Sequence, residues 1–227
     1  MIKDLGIIIA AAGTSSRFGS DDKLLEKLDG MPLFLHSVRN FYSLCPAGNM
    51  IVVVNPEKLA EFENIAGTYL PEYQLRFVAG AKLRAESVQN GLAALAPQTK
   101  FVAIQDAARP WANSDLLKKC LAAARLHGGA IPAKAVVDTL KRTRDDGRII
   151  DTVRRDNLWR VETPQVFNLE QLLDANKRIS DTGMEFTDDA SIMEAAGYEV
   201  YIVCNQGENM KITYRKDIMS EENDKAC

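Results

Sequence analysis

Ile7-Ile8-Ile9-Ala10-Ala11-Ala12-Gly13-Thr14-Ser15-Ser16-Arg17-Phe18-Gly19-Ser20-Asp21-Asp22-Lys23 is the stretch on which the fold turns. A continuous apolar run without polar alternation reads as a strand buried on both faces, and this one empties into a loop of small residues carrying two cations. Ala, Gly and Ser let the main chain approach phosphate oxygens closely, so backbone N–H groups can donate while Arg17 and Lys23 neutralise charge. Two familiar phosphate loops fail on spacing. Gly13 and Gly19 lie six apart with no glycine at the third position, unlike the dinucleotide fingerprint. No Gly-Lys-Ser/Thr follows, so it is not a P-loop either. Taken alone, the segment is equally an ordinary strand-to-helix connection with surface cations.

Outward from it, short apolar runs alternate with helical periodicity. Strands are predicted at Leu5 to Ala11, Met50 to Val54, Leu75 to Ala79, Phe101 to Gln105, Ala130 to Ala133, Tyr198 to Val203 and Met210 to Thr213. Between them, Pro32 opens a helix with Phe34, Val38 and Phe41 on one face; Leu59, Phe62 and Ala66 make a second stripe, and Val88, Leu92 and Leu95 a third. This βαβ rhythm implies an α/β fold with a mostly parallel sheet covered on both faces, and ligands beyond the carboxyl ends of the strands. The chain of 227 residues reads as one domain, 1–227, with no repeat and no low-complexity linker.

Composition narrows the function classes. Hydrophobic content of 46% without an apolar run of membrane-spanning length describes a soluble protein with no membrane partner, and the start, Met1-Ile2-Lys3-Asp4, lacks a signal-peptide pattern. A net charge of −3 argues against a nucleic-acid partner, whose basic footprint should dominate. Cys45, Cys120 and Cys204 are scattered without a CxxC pair and read as packing residues in a reducing cytoplasm; Cys227 has no inferable role.

Residues 138–163 break the rhythm. Asp145-Asp146-Gly147 is a turn signal between two β-prone arms, so the segment reads as an antiparallel hairpin. Lys141, Arg142, Arg144, Arg148, Arg154, Arg155 and Arg160 are interleaved with five Asp, which leaves too few apolar residues to bury it against its own sheet. A projecting arm with Leu140, Ile149, Ile150, Val153 and Trp159 along it suits a homodimer contact; a free flap is the alternative. A second chemical site is Asp106-Ala107-Ala108-Arg109-Pro110. Asp106, just past a central strand, can hold Mg²⁺, which takes one or two protein oxygens and leaves the rest to phosphates and water. Arg109 offers a fork suited to a phosphate. As a lone aspartate at a strand end, Asp106 reads first as a turn cap.

Asp106 to Pro110, read with the Ala10 to Lys23 loop, closely resembles the cytidylyltransferases that make 4-diphosphocytidyl-2-C-methyl-D-erythritol in the non-mevalonate isoprenoid pathway. The likeness continues through Lys23 to Leu33, Arg84-Ala85-Glu86-Ser87-Val88-Gln89-Asn90-Gly91-Leu92, Asp138 to Lys141, Arg155-Asp156-Asn157-Leu158-Trp159, Thr163-Pro164-Gln165, Phe186 to Ser191 and Asn209-Met210-Lys211-Ile212-Thr213. It implies a Rossmann-like three-layer α/β/α nucleotidyltransferase of the nucleotide-diphospho-sugar transferase type, with a dimerising β-arm. CTP and a polyol phosphate, 2-C-methyl-D-erythritol 4-phosphate, would be its substrates and Mg²⁺ its cofactor. Carried over by resemblance, Arg17, Lys23 and Lys211 are catalytic cations, and Ala11, Ala12, Gly13, Ser87 and Asp106 contact the nucleotide, Asp106 through the metal. Arg109, Thr139 and Thr187 fall on substrate positions, with Arg155 and Thr163 supplied by a partner's arm. Thr187 is equally a helix N-cap, Thr163 equally the end of the arm, and His36 a packed helix residue.

The chain departs from that family at Ser15, in place of a second glycine, at Ala81 and Lys82, where the base is read, at Gln105, where histidine is frequent, and at Glu208, where aspartate is common. A ribitol-5-phosphate cytidylyltransferase of the same fold and a non-catalytic nucleotide-binding regulatory module are the alternative functions. The first typically carries Asp-Ser-Val-Arg-Pro where this chain has Asp106-Ala107-Ala108-Arg109-Pro110. The second would not need every cation around an α-phosphate.

Overall fold

The structure, a computed structural model, describes residues 1–13, 18, 22–180 and 182–218. In chain order its elements are β1 (Leu5–Ala11), β2 (Lys27–Leu28), β3 (Met31–Pro32), α1 (Leu33–Phe41), β4 (Met50–Val54), α2 (Leu59–Tyr69), β5 (Arg76–Ala79), α3 (Arg84–Ala93), β6 (Phe101–Asp106), α4 (Ser114–His127), β7 (Gly129–Ala135), β8 (Leu140–Thr143), β9 (Ile149–Val153), β10 (Trp159–Val161), β11 (Gln165–Asn168), α5 (Leu169–Ile179), α6 (Asp189–Ala195) and β12 (Tyr201–Cys204).

The main sheet runs β10-β7-β11-β6-β1-β4-β5, with β12 on β7. β6, β1, β4 and β5 are parallel, β12 is parallel to β7, and β11 and β10 are the antiparallel members. Successive side chains of a strand point to opposite faces, and β1 divides its apolar residues accordingly. Leu5, Ile7, Ile9 and Ala11 join Phe34, Val38 and Phe41 of α1 and Phe62 of α2 in one core. Ile8 turns to the other face, against Val88 and Leu92 of α3, Leu172 of α5 and Ile192 of α6. Helices on both faces thus explain why β1 and β4 show no polar alternation. The Asn113 side chain caps α4 by accepting from the Leu116 amide at 2.9 Å, and Gly128 ends the helix at φ 90°, a conformation that favours glycine.

Four segments differ from expectation. Met210 to Thr213 forms no strand: the Ile212 amide donates to the Ala108 carbonyl at 2.9 Å and its side chain is buried, so the segment is held by the loop after β6 rather than by a sheet neighbour. Trp159 lies in β10, paired with Ala135 of the main sheet, so the free hairpin is β8 and β9 alone. The N-cap of α6 is Asp188, whose carboxylate accepts from the Ser191 amide at 3.0 Å; Thr187 precedes it. Cys45 and Cys120 are buried, which pushes both thiols up to about 12, but Cys204 is exposed at the end of β12. His36 is a packed residue, its Nε2 on the Leu28 carbonyl at 2.8 Å.

Candidate active site

Parallel pairing of β1 with β6 sets Ala10 beside Asp106, so the Gly13 segment and the Asp106 carboxylate leave the sheet at the same end. A cavity of about 360 Å³ opens there, with Ala12, Gly13, Lys23, Arg84, Ser87, Asp106 and Lys211 in its wall. At the end of β5 the chain passes so close to β1 that a Cβ on Gly80 would stand 2.5 Å from that of Ala12; only glycine fits. The Ser87 hydroxyl accepts from the Ala81 amide at 2.9 Å and donates to the Leu83 carbonyl at 2.9 Å, fixing the loop that forms one wall.

Charge is concentrated on Asp106. Its Oδ2 lies 2.8 Å from Lys211 Nζ and 3.6 Å from Arg109 Nε. Burial pushes this carboxyl up, but Lys211 first, then Arg84 and Arg109, outweigh it and hold it below the ordinary aspartate range. Lys23 donates to the Ile212 carbonyl at 3.0 Å, so the segment bearing Lys211 is tied to the turn bearing Lys23. Residues 189 positions apart in sequence are thereby set around one space.

Arg84 belongs to this group although the sequence reading assigns it no role. From the first turn of α3 it reaches Asp189 of α6 at 2.7 Å, and Asp189 is 1% exposed. Its neighbours Asp189, Asp106 and Asp188 raise its basicity against the opposing effect of burial. The partner carboxylate is 105 residues away, and no local pattern signals the pair.

The other expected positions fall elsewhere. Arg17 lies outside the described residues. Ala11 turns its side chain into the core under α1. Arg109 aims Nη1 at the Asn209 carbonyl, 2.7 Å away, and does not line the cavity. Thr139, Arg155 and Thr187 are exposed and also lie outside its wall; Arg155 Nη1 donates to the Val137 carbonyl. Thr163 departs from the expectation that a partner's arm supplies it. It is buried within its own chain, where Oγ1 accepts from the Asp106 amide at 3.0 Å and donates to Gln105 Oε1 at 3.1 Å. Gln105 in turn donates to the Arg109 carbonyl at 3.2 Å, so the residue standing where histidine is frequent braces the turn after β6.

Among the described residues, no three His, Cys, Asp or Glu side chains gather closely enough to hold a metal alone. Asp106 is a hard oxygen donor of the class Mg²⁺ takes, one or two to an ion whose other ligands are phosphate oxygens and water.

A mostly parallel sheet with a small-residue loop, converging cations and a carboxylate beyond its strand ends defines a nucleotidyltransferase-like α/β protein. The profile of the family described as IspD, 2-C-methyl-D-erythritol 4-phosphate cytidylyltransferase, matches residues 5–223, and the chain belongs to this family. It is 34% identical to the 2-C-methyl-D-erythritol 4-phosphate cytidylyltransferase of Alkaliphilus oremlandii, over 97% of this chain and 94% of that one. It is 36% identical to the bifunctional enzyme IspD/IspF of Allorhizobium ampelinum over 95% of its length, and spans 55%, about half, of that longer relative. Among solved structures, 4-diphosphocytidyl-2C-methyl-D-erythritol synthase from Anaerococcus prevotii superposes with a TM-score of 0.83 at 25% identity, covering 99% of each chain. The cytidylyltransferase from Thermus thermophilus gives 0.79 at 26% identity, covering 99% of this chain and 100% of that one.

Proposed function

We propose that the chain transfers CMP from CTP to 2-C-methyl-D-erythritol 4-phosphate, releasing pyrophosphate and giving 4-diphosphocytidyl-2-C-methyl-D-erythritol. We place it in the cytoplasm, with Mg²⁺, as a homodimer joined through the arm. The observation that carries the reading is the convergence of Lys23, Asp106, Lys211 and the Gly13 backbone on one cavity, in a chain of this family. No helix of the described residues is long and apolar enough to cross a membrane.

An oxygen of the acceptor's phosphate attacks the α-phosphorus of CTP, forming a new P–O bond as the bond to the bridging oxygen of the β-phosphate breaks. The electron pair leaves with pyrophosphate, so negative charge grows on the equatorial oxygens and on the leaving group. No side chain has to act as nucleophile; fixed cations stabilise the charge. Lys23 and Lys211, both in the cavity wall, would do this, with Arg17 assigned the same task. Asp106 would hold the metal, which supplies further positive charge on the phosphates. The test is pyrophosphate release with CTP and Mg²⁺, offering methylerythritol phosphate and ribitol 5-phosphate separately. Release with the first alone is the expected result. Release with ribitol 5-phosphate alone, or with neither, overturns the reading.

A further inference from the structure

The strand that roots the arm runs straight into the active-site framework. Glu162 directly follows β10, is 8% exposed, and its amide donates to the Pro132 carbonyl of β7 at 2.8 Å. Its Oε2 accepts from two buried side-chain amides, Asn205 Nδ2 at 2.7 Å and Asn209 Nδ2 at 3.0 Å. Asn209 also donates to the Thr163 carbonyl at 2.8 Å, and its own carbonyl accepts from Arg109. Two residues further on is Lys211, on Asp106.

A carboxylate is costly to bury, and a packed apolar side chain would fill the same space without that cost. Here the carboxylate provides an acceptor that gathers two amides on one segment, Asn205 to Asn209. That segment forms no strand, and a tether of two residues passes any displacement of Asn209 on to Lys211 within about 7 Å of chain.

We propose that Glu162 is a positioning residue: it fixes the Asn205–Asn209 segment, and through it sets Lys211 against the phosphate-binding space. This rests on the reading that Lys211 acts on a phosphate. It also gives the root of the arm a direct mechanical link to the site, since Glu162 and Thr163 are consecutive and Thr163 holds the Asp106 amide.

The test compares Glu162→Leu, which removes the acceptor, with Glu162→Gln, which keeps one, each alone and with Lys211→Ala. Misplacement by about 1 Å can cost up to about 10²-fold in rate, so kcat of Glu162→Leu should fall about 10- to 10²-fold while KM for CTP moves less. Glu162→Gln should recover most of the loss, and Glu162→Leu should cost nothing further in the Lys211→Ala background. Wild-type kcat in Glu162→Leu, or an equal fractional loss in both backgrounds, would overturn the proposal. Asn209→Ala cuts the same link from the other side and serves if Glu162→Leu does not fold; it must show the same dependence on Lys211. If the wild-type enzyme transfers no CMP, the function reading fails by itself. Calorimetric binding of inorganic pyrophosphate then replaces kcat, with weaker binding in Glu162→Leu expected only where Lys211 is present.

Discussion

The cavity and the arm are both crowded with opposite charges, yet they use them differently. At the cavity, Lys211 meets Asp106 at 2.8 Å and Arg84 meets Asp189 at 2.7 Å, with carboxylates almost closed off from solvent. On the arm, Arg142 stands 3.9 Å from Asp151 and Arg154 3.4 Å from Asp156; the first pair is 64% and 50% exposed. Exposed pairs are worth about 0–1 kcal/mol and are screened by salt, whereas a cation fixed in a cleft beside a nearly buried carboxylate acts more strongly on whatever enters than one in open water. Density of charge in a sequence therefore says little until burial is known.

The largest effect that would break this contrast is catalytic. Lys211→Ala should lower kcat by about 10² to 10³, roughly 3 to 4 kcal/mol of barrier, because a fixed donor aimed at developing charge is lost. The thermal midpoint should hardly move, since the Lys211 side chain is 42% exposed and Asp106 keeps Arg109 and Arg84 nearby. Steady-state kinetics and calorimetry on the same preparation check both halves. A large loss of stability with an intact rate would make the cluster structural.

How much of this was legible depends on the range of the interaction that carries it. β1, β4 and β6 declare themselves, because a strand covered on both faces must be apolar throughout, and α1 shows its stripe for the matching reason. The β8–β9 hairpin was readable from its Asp-Gly turn and its charges. The three and four residues of β10 and β11 are too short to develop an alternation, and the Met210–Thr213 run looks like a strand although its backbone serves a loop. At the site, Gly13, Lys23 and Asp106 could be argued from local chemistry, while Lys211 was reachable only through family resemblance. Arg84 with Asp189, and Glu162 with Asn209, join residues far apart in sequence and carry no local signature.

A smaller effect sharpens the contrast through pH. Both histidines of the chain lie outside the arm, and burial, partly offset by hydrogen bonds to the Leu28 and Met31 carbonyls, lowers the pKa of His36. The folded ring therefore stays neutral where an unfolded histidine takes up a proton. Its contribution to stability is complete above the ordinary value of 6.5 and is lost progressively as pH falls from there through the lower folded value. Unfolding measured from pH 8 to pH 5 should show this decline in the wild-type protein and a flatter profile in His36→Asn. Identical slopes would remove His36 as the source.

The smallest effect on the fold should come from the arm. Ile149 and Ile150 are 59% and 56% exposed in the isolated chain, so Ile149→Ser with Ile150→Ser takes little from its own core. Substitutions at such sites usually stay within about 0.5 kcal/mol, and the midpoint should hold when measured at concentrations too low for self-association. Association itself is a different matter. Two large apolar side chains at the tip of a charged hairpin are what a second copy would bury, at about 25 cal/mol per Å² of apolar surface removed from water. Sedimentation should therefore find a dimer in the wild-type protein and a monomer in the double variant. An unchanged mass would make the arm a free flap. A lowered midpoint in the monomer would mean that β8 and β9 pack on their own body, and the division between a body that uses its charges and an arm that merely displays them would not stand.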